Sequence, residues 1–515
     1  MPNSVAALLT AAAEDAPDGL ALTESAGRAV TWRQLDDEVS RVSVGFGAAG
    51  LVAGQRVVIA AGNRIEFVTT YLGALRAQLV AVPVNPRSTA SELERVLRDS
   101  GAGVLVADPD ALSAARTAAG ALGDEAPRMV TIATAPQAGE LAYDELAASH
   151  GRPLPPLQDD EALAALLYTS GTTALPRAAM LSHRALVANV AQVAEVEPPM
   201  ITAEDVVLGI LPLFHVYGLN AVLGSVLNAR AKLVLADGFD PVGTLDLIED
   251  EAVSVVPVAP PVFGHWLPVE DLAERLGPVR LLLSGSAPLS AAVIEEFVGL
   301  TGKPVHQGYG LTEAAPVVTS TLCSADPSFA SVGAPLPGIE LRVVDEGGDP
   351  AAGDDPGEVQ VRGANLFSGY WPDGADGPSD DGWWSTGDIG YVDGTGDLVL
   401  VDRAKEIVVV SGFNVYPAEV EDVIRDVPGV RQVAVVGVDD QRTGEAVVAH
   451  VVPDDPDTVD GLEAAVRERC TERLARFKQP SLVHVVDELP RTVTGKVQKG
   501  RLRSVARRRA LGILE

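Results

Sequence analysis

Ten consecutive residues carry the first recognisable chemistry of this chain: Tyr168-Thr169-Ser170-Gly171-Thr172-Thr173-Ala174-Leu175-Pro176-Arg177. Small hydroxyl residues around a glycine let backbone N–H groups and side-chain hydroxyls surround a phosphate. The segment lacks the GxxxxGK[ST] spacing of ordinary nucleotide hydrolases, and taken alone a Ser/Thr/Gly surface loop accounts for it equally well. Other groups able to do chemistry stand in short clusters further along: His215 and Tyr217 inside an apolar run, Thr312-Glu313 after Gln307-Gly308-Tyr309-Gly310, Asp388 after Gly387, and Lys496 after Gly495. Lysine is scarce, with only Lys232, Lys303, Lys405, Lys478, Lys496 and Lys499. An ammonium is a compact charge on a flexible stem, and arginine does not place its charge equivalently.

The elements that must position these groups follow from periodicity. Thr31 is a plausible N-cap for a helix carrying Leu35 and Val39. Arg56–Ala60 and Val80–Val84 read as buried strands on either side of a helix over 67–75. Strand–helix–strand alternation of this kind argues for a parallel α/β sheet. Further buried-strand patterns recur at 103–107, 163–168, 206–211, 231–235, 253–257 and 279–283. Beyond about residue 330 glycines and short β-like segments predict a small barrel or meander over 338–401. The last stretch reads as a compact α+β unit, with strands at 407–410, 433–438 and 447–452 and helices at 417–425 and 461–474. The expected class is α/β: a large N-terminal domain of stacked αβ layers plus a small β-barrel, over 1–402, and a small mobile α+β C-terminal domain over 403–515. The Gly/Asp/Pro-rich segment 371–381 is the expected mobile loop.

Bulk properties exclude several classes. A chain of 515 residues exceeds one ordinary core. The formal charge, 39 − 71 = −32, repels nucleic acid and anionic membrane and favours solubility. Any nucleotide site must therefore gather local donors. Cys323 and Cys470 stand apart without metal-ligand spacing and read as reduced thiols, and no run approaches the ~18 apolar residues that span a bilayer. The apolar stretch 5–13 lacks preceding Lys or Arg and reads as a helix rather than a signal peptide. The expectation is a cytoplasmic protein with no nucleic-acid partner and no membrane span.

Eight motifs in order resemble the adenylate-forming superfamily of acyl-CoA synthetases, coumarate–CoA ligases, luciferases and adenylation domains, and most closely its bacterial fatty acyl-CoA synthetase branch. The loop from Thr169 to Arg177 resembles the family's phosphate loop. Leu211-Pro212-Leu213-Phe214-His215-Val216-Tyr217-Gly218 resembles its acyl-pocket motif, and Ser284-Gly285-Ser286-Ala287-Pro288 its adenine-binding turn. Gln307-Gly308-Tyr309-Gly310-Leu311-Thr312-Glu313 is similar to the segment that meets adenine, α-phosphate and metal. The segments 382–390, Val401-Asp402-Arg403-Ala404-Lys405, Ser411-Gly412-Phe413-Asn414-Val415-Tyr416-Pro417 and Pro490-Arg491-Thr492-Val493-Thr494-Gly495-Lys496 complete the set.

The resemblance implies two half-reactions in one site. A carboxylate attacks the α-phosphate of ATP, giving acyl-AMP and pyrophosphate; the C-terminal domain rotates; the thiol of coenzyme A then attacks the acyl carbonyl. It implies that Glu313 holds Mg²⁺, that Thr312 binds the α-phosphate, that Asp388 with Arg403 binds the ribose, and that Lys496 reaches the carboxylate and α-phosphate during adenylation. Thr169, Ser170, Gly171, Thr172, Thr173 and Arg177 would serve the phosphates, and Gly285, Ser286, Ala287, Gln307, Gly308 and Tyr309 the nucleoside. Lys405 would be the hinge, with Ser411, Gly412 and Phe413 near the pantetheine tunnel. His215, Tyr217, Val262 and Gly308 would line the acid.

Three positions depart from the family loop, which usually has Gly, Lys and Gly where this chain has Ala174, Arg177 and Ala178. An added Cβ obstructs close phosphate approach, and Arg offers a planar fork instead of a point charge. Two readings stay open: the loop works as it stands, or ATP activation is impaired and the enzyme takes acyl-AMP preformed by a partner ligase. Amino-acid-activating relatives place an Asp near the acyl-pocket motif, and this chain has none there. A hydrophobic acid is the expected substrate: a fatty acid, an aryl acid or a bulky natural-product acid. The acceptor is CoA or, alternatively, a phosphopantetheinyl carrier protein.

Overall fold

The computed structural model describes residues 2–169, 176–287, 289–345, 347–353, 355–403, 406–410, 413–440, 443–455, 461–474, 476–492 and 495–510. The chain forms two compact units, Met1–Glu340 with Arg362–Trp384, and Leu341–Val361 with Ser385–Glu515.

The first unit contains two large sheets. One has seven strands in the order Leu141–Ala142, Arg128–Thr131, Val104–Ala107, Arg56–Ala60, Val80–Val84, Leu163–Thr169, Arg177–Ser182. All neighbours are parallel except the last pair. Val57, Val58, Ile59 and Ala60 are all fully buried, because a parallel strand is covered on both faces and its sequence is continuously apolar. The helix Trp32–Ala48 starts at Thr31, whose side chain accepts from Gln34 N while the Gln34 side chain accepts from Thr31 N, a reciprocal capping box. The apolar N-terminal stretch is the helix Val5–Asp15, capped by Ser4.

The second sheet has nine strands. Its parallel core runs Val305–Gly310, Leu281–Ser284, Val255–Val258, Val206–Gly209, Lys232–Leu235, Leu20–Glu24, with antiparallel additions at both edges. The carboxyl ends of such strands are where open α/β sheets place ligands. Three of the resembling motifs begin there.

Ile339–Val344, Gly357–Gly363, Trp384–Val392 and Leu398–Arg403 pair in chain order, with most of their residues in the second unit. The region expected as a barrel or meander is thus a meander. It groups with the C-terminal residues, so the compact division differs from a boundary at 402/403. The long pair Val430–Asp440 and Gly444–Pro453 has apolar residues on both faces. Val433, Val435, Val447 and Val451 pack under the helices Pro417–Arg425 and Leu462–Arg473. Ala434, Val436 and Val448 face Leu502 and Ala506 of the helix Lys499–Ala510. Cys470 lies in the former core, where burial pushes its thiol up to about 11, and neither Cys470 nor Cys323 is in a disulfide.

The segment 371–381 is anchored rather than loose. Trp371 donates from N to the Ala178 carbonyl (2.9 Å) and from Nε1 to the Asp99 carbonyl (3.0 Å). Among the described residues no helix is long and apolar enough to cross a membrane.

Candidate active site

The strand Leu163–Thr169 delivers the hydroxyl-rich loop and Arg177–Ser182 leads the chain away, with Thr169 opposite Arg177. Ser170, Gly171, Thr172, Thr173 and Ala174 lie outside the described residues. Ala178 corrects one expectation. Its methyl is 1% exposed and sits in the core beneath the seven-stranded sheet. Strand alternation turns it away from the face carrying Arg177, so this Cβ does not obstruct a phosphate.

Arg177 is engaged. Its guanidinium carbon lies 3.8 Å from the centroid of the Tyr370 ring, and Nη1 is 2.8 Å from Asp376 Oδ2. Tyr370 in turn donates its hydroxyl to Glu313 Oε1 at 2.6 Å. Burial, then the charge of Glu313, pushes the phenol well above its ordinary range. A contact chain therefore links the end of the phosphate loop to the expected Mg²⁺ ligand. Neither Tyr370 nor Asp376 was expected from the sequence.

Glu313 is 9% exposed and sits on a single 3₁₀ turn, Thr312–Ala314, directly after the strand Val305–Gly310. Among the described residues no three His, Cys, Asp or Glu side chains converge as a metal cage. A buried carboxylate already oriented by a phenol suits Mg²⁺, which takes one or two protein carboxylates and completes its shell with substrate phosphates and water.

The adenine-binding turn and the acyl motif meet. A Cβ added to Gly285 would lie 2.9 Å from Tyr217 Cε1, so the tyrosine ring packs directly on the glycine. Ser286 follows with φ +76°, a left-handed conformation that non-glycine residues adopt mainly where the surroundings enforce it; the next residue, Ala287, is half-buried. A Cβ on Gly308 would meet the Thr319 carbonyl at 2.9 Å. Tyr309 is buried and donates from N to Thr319 Oγ1 at 3.4 Å. Gln307 directs its amide to the carbonyls of Phe329 (3.1 Å) and Ser331 (3.3 Å), bracing that loop.

His215 is half-buried with its Nε2 enclosed; burial of the ring lowers its pKa to about 4, and Nε2 has no partner among the described residues. At neutral pH the ring is uncharged, offering one donor and one acceptor, which fits contact with a neutral group better than charge neutralisation. Val262 and Phe263 belong to the core on the helix Pro261–Trp266, where Phe263 meets Phe297 edge-on at 5.0 Å. Sequence reasoning also missed Asn63. Its Nδ2 donates to the carbonyls of Gly209 and Leu211, and its Oδ1 accepts from Leu213 N, all at 2.9 Å. This buried amide clamps the start of the acyl motif.

His183 is fully buried and is also lowered to about 4, by burial outweighing the charge of Asp160. Both rings are neutral when folded, whereas the unfolded chain takes up protons below about pH 6.5. Stability is therefore lost as pH falls from about 6.5 through 4, by on the order of 3 kcal/mol per histidine over the whole window. The first unit is expected to melt at a lower temperature at pH 5 than at pH 7. The replacement His183→Gln narrows that gap; an unchanged gap contradicts the assignment.

In the second unit, Asp388 is 5% exposed and stands opposite Arg403 across the pair Trp384–Val392 and Leu398–Arg403. Asp388 N donates to Thr386 Oγ1 at 3.1 Å. The Arg403 side chain, Lys405, Ser411, Gly412 and the Phe413 side chain lie outside the described residues. Lys496 is exposed at a turn, where its N donates to Thr492 Oγ1 (3.1 Å) and its carbonyl accepts from Thr492 N (2.7 Å). By contrast Lys499 is structural, paired with Glu421 (2.8 Å) and Glu406 (3.2 Å).

Comparison with known proteins places the chain in a family. The family model "AMP-binding enzyme" matches residues 9–371, and "AMP-binding enzyme C-terminal domain" matches 419–496. The chain is 35% identical to the feruloyl-CoA synthase of an Amycolatopsis species over 487 residues, covering 93% of this chain and 94% of the relative. It is 33% identical to a long-chain-fatty-acid–CoA ligase of Escherichia coli O157:H7, covering 93% and 91%. The crystal structure of ATP-bound MatB from Rhodopseudomonas palustris superposes with a TM-score of 0.89 at 34% identity, covering 98% of this chain and 99% of that one.

Proposed function

Because the chain belongs to the AMP-binding enzyme family and is an acid–thiol ligase of the CoA-ligase kind, we propose that it converts a hydrophobic carboxylic acid, through acyl-AMP, to an acyl-CoA thioester. The observation that carries this reading is the contact between Tyr217 of the acyl motif and Gly285 of the adenine turn. An acid held against that ring has its carboxylate directed toward the nucleotide, and a covalent acyl-AMP spans the two.

Each residue then has a task that follows from its chemistry. The backbone and hydroxyls of the loop 169–177 accept the phosphates. Glu313, oriented by Tyr370, would hold Mg²⁺, which would offset charge on the phosphate oxygens. Thr312 donates to the α-phosphate, and Asp388 accepts from the ribose hydroxyls. Lys496 neutralises charge building on the α-phosphate and carboxylate oxygens. Such preorganised donors supply most of the rate in reactions with little covalent work for the protein. Val262 and the neutral His215 border the acid, with no side-chain charge on this motif to pair an α-ammonium. The relatives' names, a feruloyl-CoA synthase and a long-chain-fatty-acid–CoA ligase, support an apolar acid.

The second reading, impaired adenylation, draws on the hold that Tyr370 and Asp376 have on Arg177. Its modest strength argues against full loss. Arg177 and Asp376 are 37% and 71% exposed, and an ion pair that exposed contributes at most about 1 kcal/mol. The stacking adds a similar amount. A triphosphate with several charges overcomes both. Asp376→Ala is accordingly expected to lower the KM for ATP by up to about fivefold; an unchanged or raised KM contradicts a restraining role.

A panel of fatty, cinnamic and bulkier aryl acids, offered with ATP and either CoA or a phosphopantetheinylated carrier protein, tests the proposal by mass spectrometry of the thioester. Acyl-CoA from an apolar acid is expected. Turnover confined to amino acids, or to the carrier protein, would overturn it.

A further inference from the structure

The turn that bears Thr312 and Glu313 closes its own backbone hydrogen bonds, Ala314 N to the Leu311 carbonyl and Ala315 N to the Thr312 carbonyl, and is also gripped from outside. It ends at Ala315, fully buried with φ +64°, a conformation that costs a non-glycine residue energy. Side-chain amides from three separate segments grip the backbone that follows. Asn365 Nδ2 donates to the Ala314 carbonyl at 2.7 Å, and Phe367 N to the Glu313 carbonyl at 2.9 Å. Asn189, on the helix His183–Ala194, accepts from Val317 N at 3.0 Å and donates to the Val317 carbonyl at 2.8 Å.

Asn220 supplies the remaining grip and differs in its location. It is 1% exposed, and its Nδ2 donates to the Ala315 carbonyl at 2.7 Å and to the Leu186 carbonyl at 3.0 Å. It stands within Tyr217–Gly224, a π-helical segment that begins at the tyrosine packed on Gly285. A π-helical turn is wider than an α-turn and re-aims its side chains, a device common at functional sites. Both acceptors of Nδ2 are carbonyls, so the amide orientation is determined. Asn220 Oδ1 has no partner among the described residues, and a Cβ added to Gly224 would lie 2.8 Å from it. A buried amide that leaves its own acceptor unsatisfied is costly, and that cost is tolerated for two donor contacts to backbone elsewhere.

We propose that Asn220 is a positioning residue that fixes the spacing between the acyl-binding segment and the turn carrying Thr312 and Glu313. The inference rests on the site reading above, in which the acid lies against Tyr217 and the α-phosphate against Thr312. The nucleophilic carboxylate and its target are then held by two segments with no peptide link nearby. Asn220 is the side chain that belongs to one and grips the other. Near-attack geometry is sensitive to shifts of about 1 Å, and loss of this amide lets the two segments drift independently.

The test separates spacing from mere stability. Dissociation constants are measured for AMP, for decanoic and cinnamic acids, and for the decanoyl and cinnamoyl sulfamoyl-adenosine analogues that join the two halves. Asn220→Ala is expected to weaken the better-binding analogue by at least about tenfold, while AMP and the free acid each change by less than about threefold. Asn220→Ser keeps a hydroxyl donor for one carbonyl and is expected to fall between; if Asn220→Ala fails to fold, this variant decides. Analogue binding that falls no more than the product of the AMP and acid effects overturns the inference alone. Wild-type protein that binds neither analogue overturns the site reading and the inference with it.

Discussion

Lys496→Ala slows acyl-AMP formation by about 10²- to 10³-fold, the range found when one preorganised donor to a developing anion is removed, and leaves thioester formation from preformed acyl-AMP within a few-fold of wild type. The asymmetry follows from where charge develops. In the first step negative charge concentrates on α-phosphate and carboxylate oxygens, and a point charge on a flexible stem can follow it. In the second step the departing group is AMP, and the reacting thiol enters at the acyl carbon. The lysine stands exposed at a turn closed by Thr492, so alanine there removes the ammonium without opening a cavity. Arginine is not expected to restore the rate, because its fork is wider and its charge spread over a plane. Single-turnover measurement of each half-reaction checks this. Equal losses in both would contradict the assignment of Lys496 to adenylation.

The second large effect is expected at Glu313. The replacement Glu313→Gln keeps shape and an acceptor for the Tyr370 hydroxyl while removing the charge. Adenylation should fall by about 10²-fold, and the Mg²⁺ concentration for half-maximal rate should rise. Because Tyr370 donates to a carboxylate that is 9% exposed, the side chain is already oriented before any metal arrives, and glutamine keeps that orientation. A rate loss without any change in Mg²⁺ dependence would mean that Glu313 acts through the turn's shape instead of the ion. Tyr370→Phe serves as the comparison: it removes the orienting hydrogen bond and leaves the charge.

Much of the fold was legible because its strands are simple. Arg56–Ala60 and Val80–Val84 match their predicted spans since strands covered on both faces are continuously apolar. The helix Pro417–Arg425 also matches its predicted span, with a proline in its first turn, where the missing N–H is harmless. Sheet membership was not. Leu20–Glu24 joins the nine-stranded sheet through Lys232–Leu235, a pairing that no local pattern encodes. The meander's association with the C-terminal residues is likewise a matter of long-range contacts.

The site was legible where residue type alone announces chemistry, as with Thr312-Glu313 or the hydroxyl-rich loop. It was not legible where side chains act on backbone. Asn63, Asn189, Asn220 and Asn365 hold carbonyls and amides, and those partners have no sequence signature. A signal did exist for Asn220: a lone amide within the apolar run 218–224 must find partners once buried. Ala178 was misread as an obstruction because its position in the motif was weighed and the alternation of its strand was not. Tyr370 and Asp376 escaped notice because they reach Arg177 from a segment that pairs with its strand only in the folded chain.

The central claim is that one chain carries out both half-reactions despite Ala174 and Arg177 in its phosphate loop. Acid-dependent ATP–pyrophosphate exchange measures the first half-reaction directly, without CoA. The account predicts exchange with an apolar carboxylic acid, dependent on Mg²⁺ and largely lost in Lys496→Ala. No exchange with any acid, alongside ready thioester formation from synthetic acyl-AMP and CoA, would contradict it.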